Sequence, residues 1–465
     1  MAKSLSVDKV LKLIFIPSGE LSDIDLSSGD ELDQPKSSDP SDDGLDYEVE
    51  HDATSDNEPT DTSSDEDSGN ATPSTSKSAG TSKTKRSVYK WKKVLPEFRD
   101  TDFTGGDFQD PPMDLPTPME YFKMFINQEC IQYIADQTNL FAMQKDGKEI
   151  KASTDEIEQF IGILLMIGFF PCPSYRMYWS NDSRFSSVAD VMSRNRFECL
   201  LRYVHFNDNS NVRGREDPNY DPLFKNRPLL DMLRVEMGKL EPEECQSIDE
   251  QIVAFKGRSS LKQYNKNKPH KWGFQVFTRA GSPGIMYDFE VYTGKSMKLE
   301  GNFKVYFDNW FTSVDLVRTL AERNIWAVAT IRRDRMGGCQ LASDKQLKDN
   351  GRGSFDYRSD RDSAITVVKW HDNKAVHLVS SFCGTEPVDT CRRWSACAKQ
   401  KIDVNRPLIV KEYNHHMGGV DLADMLIELY RTNIRSRKWF MRLVFYCFDV
   451  AIVQTPYDTT TGRQS

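Results

Sequence analysis

The chain has 465 residues, of which 38% are hydrophobic and 28% are charged, and its formal net charge is −9 at pH 7. The charge is uneven: residues 1–80 carry 20 acidic and 5 basic side chains, a net of −15, so the remainder carries +6. The overall acidity does not exclude a nucleic-acid partner, because local patches set the field that a ligand meets. The sequence also lacks a signal-peptide pattern and an apolar run of membrane-spanning length, so we expect neither secretion nor membrane insertion.

The nine cysteines are scattered and indicate neither a disulfide framework nor a metal centre. Cys391 and Cys397 are close in sequence, but no partner residues follow them at zinc-ligand spacing. We therefore expect a reducing compartment and no zinc site.

The first 110 residues are divided by the sign of their charge. Residues 1–82 are rich in Ser, Asp, Glu, Thr, Gly and Pro, a composition that predicts an acidic disordered tail. Residues 83–110 form a basic linker with six cations between Lys83 and Lys93. This linker is either a solvated segment or a segment for nuclear import or nucleic-acid contact. On the second reading the protein is nuclear.

Residues 111–244 have the pattern of a helical domain. Thr117 is a typical N-cap residue and Pro118 suits the first helical position, and apolar residues recur behind them at helical spacing. Further helices are predicted over 154–168 and 186–204.

After residue 244 the pattern changes from helices to strands. Three consecutive antiparallel strands are predicted first, followed by a fourth strand, a helix and a fifth strand. The predicted strands are 247–255, 273–279, 285–292, 303–307 and 325–331, and the predicted helix is 313–323. Together they form the first part of a core, residues 245–331.

The remaining chain divides into a β-rich part and a helical part. Residues 332–406 are predicted to be a separate β-rich module, with a turn over 371–374. Residues 407–456 return to helices, beginning near Val420 and near Lys438, and complete the core. Residues 457–465 are a tail.

Three carboxylates lie at unusual places in this pattern. Asp249 interrupts the apolar face of the first strand, Asp308 ends the fourth strand, and Asp421 opens a helix after two glycines. Asp424 lies one turn beyond Asp421 on the same helical face. Such acids can converge on one pocket and supply the hard oxygen ligands that two Mg²⁺ ions about 4 Å apart require. Alternatively, Asp308 caps a turn and Asp421 is favoured by the helix dipole.

Three blocks of sequence resemble piggyBac transposases and their domesticated descendants. The first block contains S-I-D-E-Q (247–251), F-K-G-R (255–258) and N-K-P-H-K-W-G (267–273). The second block is F-D-N-W-F-T-S, from residue 307. The third is Y-N-H-H-M-G-G-V-D-L-A-D, from residue 413, followed by R-S-R-K-W. The blocks occur in the family's order, and the resemblance covers about 95 to 455.

The resemblance implies an α/β protein with an RNase H-like catalytic core, in which a mixed sheet is packed with helices. An α-helical DNA-binding and dimerisation domain (111–244) would precede the core, and residues 332–406 would be its β-rich insertion domain. The implied catalytic and metal-binding residues are Asp249, Asp308, Asp421 and Asp424. The implied reaction is Mg²⁺-dependent cleavage of double-stranded DNA at transposon ends, a hairpin intermediate and insertion at TTAA, carried out by a homodimer.

Basic residues around these blocks are the predicted DNA contacts. The first block contains six cations within sixteen residues, which is consistent with phosphate contacts, and the alternative is a solvated strand face. The predicted contacts are Lys256, Arg258, Lys262, Lys266, Lys268, Lys271, Trp310, Arg431, Arg435, Arg437 and Lys438. His415 and His416 are interpreted as exposed turn residues without a role.

Two departures from the family leave the activity open. The link 294–302 has only nine residues, too few for the helix of about ten or more residues that crosses the sheet in relatives. The family's cysteine-rich C-terminal module is not found after Asp421. We therefore expect a shortened copy, either an active transposase with a DDD triad or a catalytically impaired, domesticated DNA- or chromatin-binding protein.

Overall fold

The structure is a computed structural model that describes residues 89–103, 105, 116–266, 268–293, 302–432, 434, 436 and 438–454. The predicted acidic tail, the tail 457–465 and most of the link 294–302 lie outside these residues. Part of the basic linker is described, and it includes a short strand.

The region after residue 115 is helical, as predicted. The helices are α1 (Pro118–Phe125), α2 (Gln128–Asp146), α3 (Thr154–Phe169), α4 (Ser186–Ala189), α5 (Arg194–Tyr203) and α6 (Arg227–Met237). Thr117 caps α1: its side chain accepts a hydrogen bond from the Glu120 amide at 3.3 Å, and the Glu120 carboxylate accepts one from the Thr117 amide at 2.7 Å. The single helix predicted over 186–204 is divided into α4 and α5, because Ser193 is extended and its side chain caps α5.

Most of the described strands belong to one mixed sheet. They are β1 (Trp91–Lys92), β2 (Cys245–Ala254), β3 (Lys262–Tyr264), β4 (Trp272–Gly281), β5 (Met286–Val291), β6 (Lys304–Phe307), β7 (Trp326–Thr330), β8 (Phe355–Asp360), β9 (Ile365–His371), β10 (Ala375–Ser380), β11 (Asp389–Ser395) and β12 (Gln400–Arg406). The order in the sheet is β1-β8-β9-β10-β7-β6-β2-β4, with β3 and β5 both paired to β4. Strands β11 and β12 form a separate antiparallel hairpin.

The first three core strands are antiparallel, as predicted, and the structure adds two parallel pairings. Strands β2, β4 and β5 are antiparallel neighbours, β6 is parallel to β2, and β7 is parallel to β6. Strands β8, β9 and β10, predicted to be part of a separate module, instead extend the same sheet, because β10 pairs with β7 and places Leu378 opposite Thr330. The sheet therefore continues past residue 331, and the assignment of 332–406 as an insertion domain stays a prediction.

Helices cover both faces of the central strands. The later helices are α7 (Val314–Glu322), α8 (Asp344–Asp349), α9 (Leu408–His416), α10 (Gly419–Tyr430) and α11 (Met441–Val453). Side chains alternate along β6: Val305 and Phe307 pack in one cluster with Leu316 of α7, whereas Tyr306 packs in another with Ile409 of α9. The two helices thus lie on opposite faces of this strand.

The N-terminal helices share a hydrophobic core with one end of the sheet. A single cluster joins Ile131 of α2, Phe160 of α3 and Leu230 of α6 to Phe289 of β5 and Phe445 of α11. Helix α11 is buried on nearly all sides between these elements, as expected of an apolar helix inside a protein. Within the described ranges, no helix combines the length and the apolar character needed to cross a membrane.

Candidate functional site

Strand pairing places Asp249 beside Asp308. Strands β2 and β6 are parallel and Ile248 lies opposite Phe307, so the two aspartates that follow are neighbours at the end of β6. Asp308 Oδ1 accepts a hydrogen bond from the Trp310 amide at 2.8 Å, which holds the carboxyl group at the turn after the strand. Two of the predicted aspartates therefore come from adjacent strands.

Helix α10 brings Asp421 to the same strands. The Val420 amide donates a hydrogen bond to Ser247 Oγ at 3.1 Å. Gly419 has no room for a side chain, because a Cβ atom there would lie 2.2 Å from the Gly281 carbonyl oxygen. The glycine lets the first turn of α10 touch β2 and β4 directly. Because Asp421 belongs to that turn, its position depends on this close contact.

The four predicted aspartates share one electrostatic neighbourhood. Burial raises the pKa of both Asp308 and Asp421, and the negative charge of Asp249 raises each pKa further. Burial raises the pKa of Asp424 to about 6, with a contribution from the charge of Asp421. Burial also raises the pKa of Tyr413 to about 12, and the charges of the first three aspartates all act on this hydroxyl.

The ammonium group of Lys268 lies among these acids. It is 3.8 Å from Asp249 Oδ2 and donates a hydrogen bond to the Glu250 carbonyl oxygen at 2.8 Å. Its charge lowers the pKa of the neighbouring carboxyl groups, against the effect of their burial. Lys268 is one of the predicted phosphate contacts, yet its side chain is only 20% exposed and turned toward the carboxylates. Lys268 thus reaches β2 from the connection between β3 and β4.

Polar contacts at Glu428 join the connection between β3 and β4 to α10. His270 Nε2 lies 3.2 Å from Glu428 Oε1, and Arg431 Nη1 lies 3.4 Å from the same oxygen. Arg431, predicted to line the DNA channel, is 14% exposed in this contact. Glu428 was not predicted from the sequence; its place one turn after Asp424, on the same face of α10, is the signal that could have indicated it.

The donor set fits a divalent cation in its chemistry. Carboxylate oxygens are the hard ligands that Mg²⁺ prefers. Burial, and then the charge of Asp249, raise the pKa of Glu250 to about 8, and its buried Oε2 receives no hydrogen bond from the described part of the chain. In the described residues, however, no group of three or more His, Cys, Asp or Glu side chains is arranged to hold a metal ion.

Comparison with known proteins identifies the family. A family model described as Transposase IS4 matches residues 117–453. PiggyBac transposable element-derived protein 3 of Homo sapiens is 33% identical over 397 residues, which cover 78% of this chain and 66% of that protein. PiggyBac transposable element-derived protein 2 of Homo sapiens is 31% identical over 385 residues, which cover 77% and 64%. The chain belongs to the piggyBac transposase family.

A solved piggyBac transposase has the same fold as this chain. The cryo-EM structure of a piggyBac transposase synaptic complex with hairpin DNA matches with a TM-score of 0.60 and 24% identity, covering 74% of each chain. This match confirms the predicted α/β fold with an RNase H-like core. The chain spans less than two thirds of the two Homo sapiens piggyBac relatives, 66% and 64% of their lengths.

The predicted DNA contacts of this piggyBac family chain differ in their exposure. The exposed cations near the first block are Lys256, Arg258, Lys266 and Lys271. Lys262 is half-buried, and its ammonium group lies 4.9 Å from the centre of the Trp272 ring. These five cations lie on or beside the β3–β4 hairpin, and their contact with DNA stays a prediction.

The other predicted DNA contacts pack against the protein or lie outside the described residues. Trp310 stacks on Phe277 with ring centres 6.1 Å apart. Lys438 Nζ donates a hydrogen bond to the Arg202 carbonyl oxygen at 2.9 Å. The remaining two, which lie outside the described residues, are Arg435 and Arg437.

His416 has a structural role that was not predicted from the sequence. It is half-buried rather than exposed: its Nδ1 lies 2.9 Å from Ser282 Oγ, and its ring lies 4.8 Å from the Tyr306 ring. Burial lowers the pKa of His416 to about 4, so the ring is neutral at pH 7. It joins the end of α9 to the turn between β4 and β5, whereas His415 is exposed as predicted.

Proposed function

We propose that this chain cuts and joins strands of double-stranded DNA, at transposon ends and at TTAA target sites, with a DDD triad. The observation that carries the proposal is the position of Asp249 and Asp308 on adjacent parallel strands, with Asp421 held beside them by the close contact of α10. Membership of a transposase family supports the same reaction.

The metal ions of this reaction are part of the proposal. Two Mg²⁺ ions would be held by Asp249, Asp308, Asp421 and Asp424. When bound, they would activate the attacking water or hydroxyl group and stabilise the leaving oxygen. Metal ligands must be deprotonated. The pKa of Asp424 is raised to about 6. This carboxyl group is therefore mostly deprotonated, and able to bind a cation, only above that pH.

The exposed cations are the proposed contacts with the phosphates of DNA. Segment 255–272 contains six Lys and Arg residues and no Asp or Glu, a composition that favours contact with phosphates. The structural neighbour is a transposase in a complex with hairpin DNA, which supports a DNA substrate here. Homodimer formation and a nuclear location, for which the basic linker is the sequence signal, belong to the same proposal.

A second candidate is a domesticated DNA- or chromatin-binding protein that no longer cleaves DNA. The position of Lys268 favours it, because the ammonium group already pairs with the Asp249 carboxylate at 3.8 Å. In this candidate the carboxylates are retained because they contribute to folding, and the Lys268 ammonium group takes the place of a metal ion.

A nicking assay separates the two candidates. The full chain is incubated with a labelled duplex and a labelled hairpin, each containing TTAA, in Mg²⁺ or in EDTA. The first candidate predicts nicks that require Mg²⁺ and that are lost in Asp308→Asn, while this variant still binds the duplex. Asp362→Asn, at an exposed carboxylate, is the matched control and should cleave normally. Binding without nicks under both conditions supports the second candidate, and nicks that survive in Asp308→Asn contradict the triad.

A further inference from the structure

The β3–β4 hairpin presents two aromatic rings to solvent. Tyr264 and Trp272 are paired directly across the two strands. Their ring centres are 4.8 Å apart, and the residues are 53% and 49% exposed. Large aromatic side chains that stay exposed as an adjacent pair mark a contact surface more often than scattered single residues do.

Buried aromatic rings support this pair from the inside. Phe274 is two residues from Trp272 on β4 and therefore lies on the same face of the sheet. It is fully buried and stacks on Phe255, with ring centres 5.0 Å apart, and Trp439 lies 6.0 Å from it. Phe255 and Phe274 belong to the main hydrophobic cluster. The exposed pair is therefore held by strands that pack against the core, and not by a loop.

The surroundings of the pair are strongly cationic. The Lys262 ammonium group lies 4.9 Å from the centre of the Trp272 ring. The neighbouring exposed cations are Lys256, Arg258, Lys266 and Lys271. A partner for this surface needs flat apolar faces and closely spaced negative charges. A single-stranded stretch of DNA has both, whereas a paired duplex hides its base faces within the stack.

We propose that Tyr264 and Trp272 stack on an unpaired base of DNA, with the neighbouring cations holding the phosphates on either side. This inference rests on the proposed DNA binding and adds to it a preference for a single-stranded segment next to a duplex. Stacking on an aromatic ring tolerates any base, because every base has a π face. The pair would therefore distinguish single-stranded from double-stranded DNA without a preference for sequence.

The test compares two DNA probes with the full chain at one fixed salt concentration. The first probe is a blunt duplex, and the second is the same duplex carrying a short single-stranded extension. Affinities are measured by fluorescence anisotropy. The unsubstituted chain should bind the extended probe more tightly. Trp272→Ala should weaken binding of the extended probe about tenfold, or about 1.4 kcal/mol, and leave the blunt duplex almost unchanged.

Three further variants make the test specific. Trp272→Phe retains a ring and should keep most of the preference, and Tyr264→Ala should lose part of it. Trp394→Ala removes a ring that is 60% exposed on β11, away from this hairpin, and should change nothing. Thermal melting followed by circular dichroism verifies that each variant is folded.

The outcomes separate this inference from the proposed function. If Trp272→Ala weakens both probes equally, or if the unsubstituted chain binds both probes with the same affinity, stacking is wrong while DNA binding stands. The same holds if Trp394→Ala has the effect predicted for Trp272→Ala. If the chain binds neither probe, both the inference and the proposed function fail.

Discussion

At the scale of single residues, two lysines of one turn have opposite environments. Lys266 is exposed, whereas Lys268, two positions later, lies 3.8 Å from the Asp249 carboxylate. Burial raises the pKa of the acids around Lys268, to about 8 for Glu250 and to about 6 for Asp424. The ammonium charge opposes this rise and so makes the ionised cluster less costly at neutral pH.

Replacing Lys268 by methionine should destabilise the fold in a pH-dependent way. Without the ammonium group, the pKa of Glu250 and the pKa of Asp424 rise further above their unfolded values. An acid with a raised folded pKa stabilises the fold at low pH and loses that contribution as the pH rises through the folded pKa. We expect little difference from the unsubstituted chain near pH 4, and a loss of about 2 kcal/mol above pH 8, from denaturant unfolding.

Lys266→Met is the matched control for this prediction. The Lys266 side chain is exposed, so its loss should change the free energy of unfolding by less than about 0.5 kcal/mol at any pH. A destabilisation of Lys268→Met that is the same at low and high pH would show that the ammonium group does not act through the carboxylates.

At the scale of secondary structure elements, the site depends on how closely α10 approaches the sheet. Its first turn lies on β2 and β4, where the Val420 amide reaches Ser247 Oγ. Two successive glycines precede Asp421, and their surroundings differ. A Cβ atom on Gly419 would meet the Gly281 carbonyl oxygen at 2.2 Å, while none of the described atoms lies within 4 Å of the corresponding position on Gly418.

Gly419→Ala should therefore destabilise the protein, and Gly418→Ala should not. The added methyl group of Gly419→Ala meets backbone that cannot rotate away, so α10 must shift, at a cost of about 1 to 3 kcal/mol. Gly418 has φ −77° and ψ 0°, which alanine adopts readily. Thermal unfolding of the two variants checks this. Equal melting temperatures would mean that the helix can move from the sheet without cost.

At the scale of the whole molecule, the helical region and the sheet form one packed body at their contact. They share a hydrophobic cluster, and buried ion pairs cross the same boundary. Arg234 of α6 donates hydrogen bonds to both carboxylate oxygens of Asp288 on β5, at 2.8 and 3.2 Å, and also pairs with Glu290. Because Glu290 is almost fully buried, it needs cationic partners to stay ionised, and Arg227 Nη1, 3.3 Å from Glu290 Oε1, is a second one.

Arg234→Met should lower the stability of both regions together. Its removal takes away the bidentate partner of buried Asp288 and leaves Arg227 to pair with Glu290, which costs about 3 kcal/mol. We expect one calorimetric transition in the unsubstituted chain and one transition at a lower temperature in the variant. Arg176→Met is the control: this arginine is 56% exposed and pairs with Glu198 on the surface, and its loss should cost about 1 kcal/mol or less. Two resolved transitions would contradict a shared core.

Local patterns in the sequence predicted which segments form the core strands, the antiparallel run of the first three strands, and the places of Asp249, Asp308 and Asp421 along the chain. Each of these features depends on side-chain periodicity and turn residues over a few neighbouring positions. The resemblance to piggyBac transposases added the RNase H-like fold, which the structural match confirms.

Only the tertiary structure decided which cations face solvent and which lie inside. Lys266 and Lys268 look alike in sequence, because a long flexible side chain takes its direction from how its turn folds back on the sheet. The pairing of β10 with β7 was equally hidden, since an edge strand with free hydrogen-bonding groups accepts a partner from anywhere along the chain. The need for Gly419 likewise arises from the Gly281 carbonyl oxygen, which is distant in sequence and becomes its neighbour only when α10 packs on the sheet.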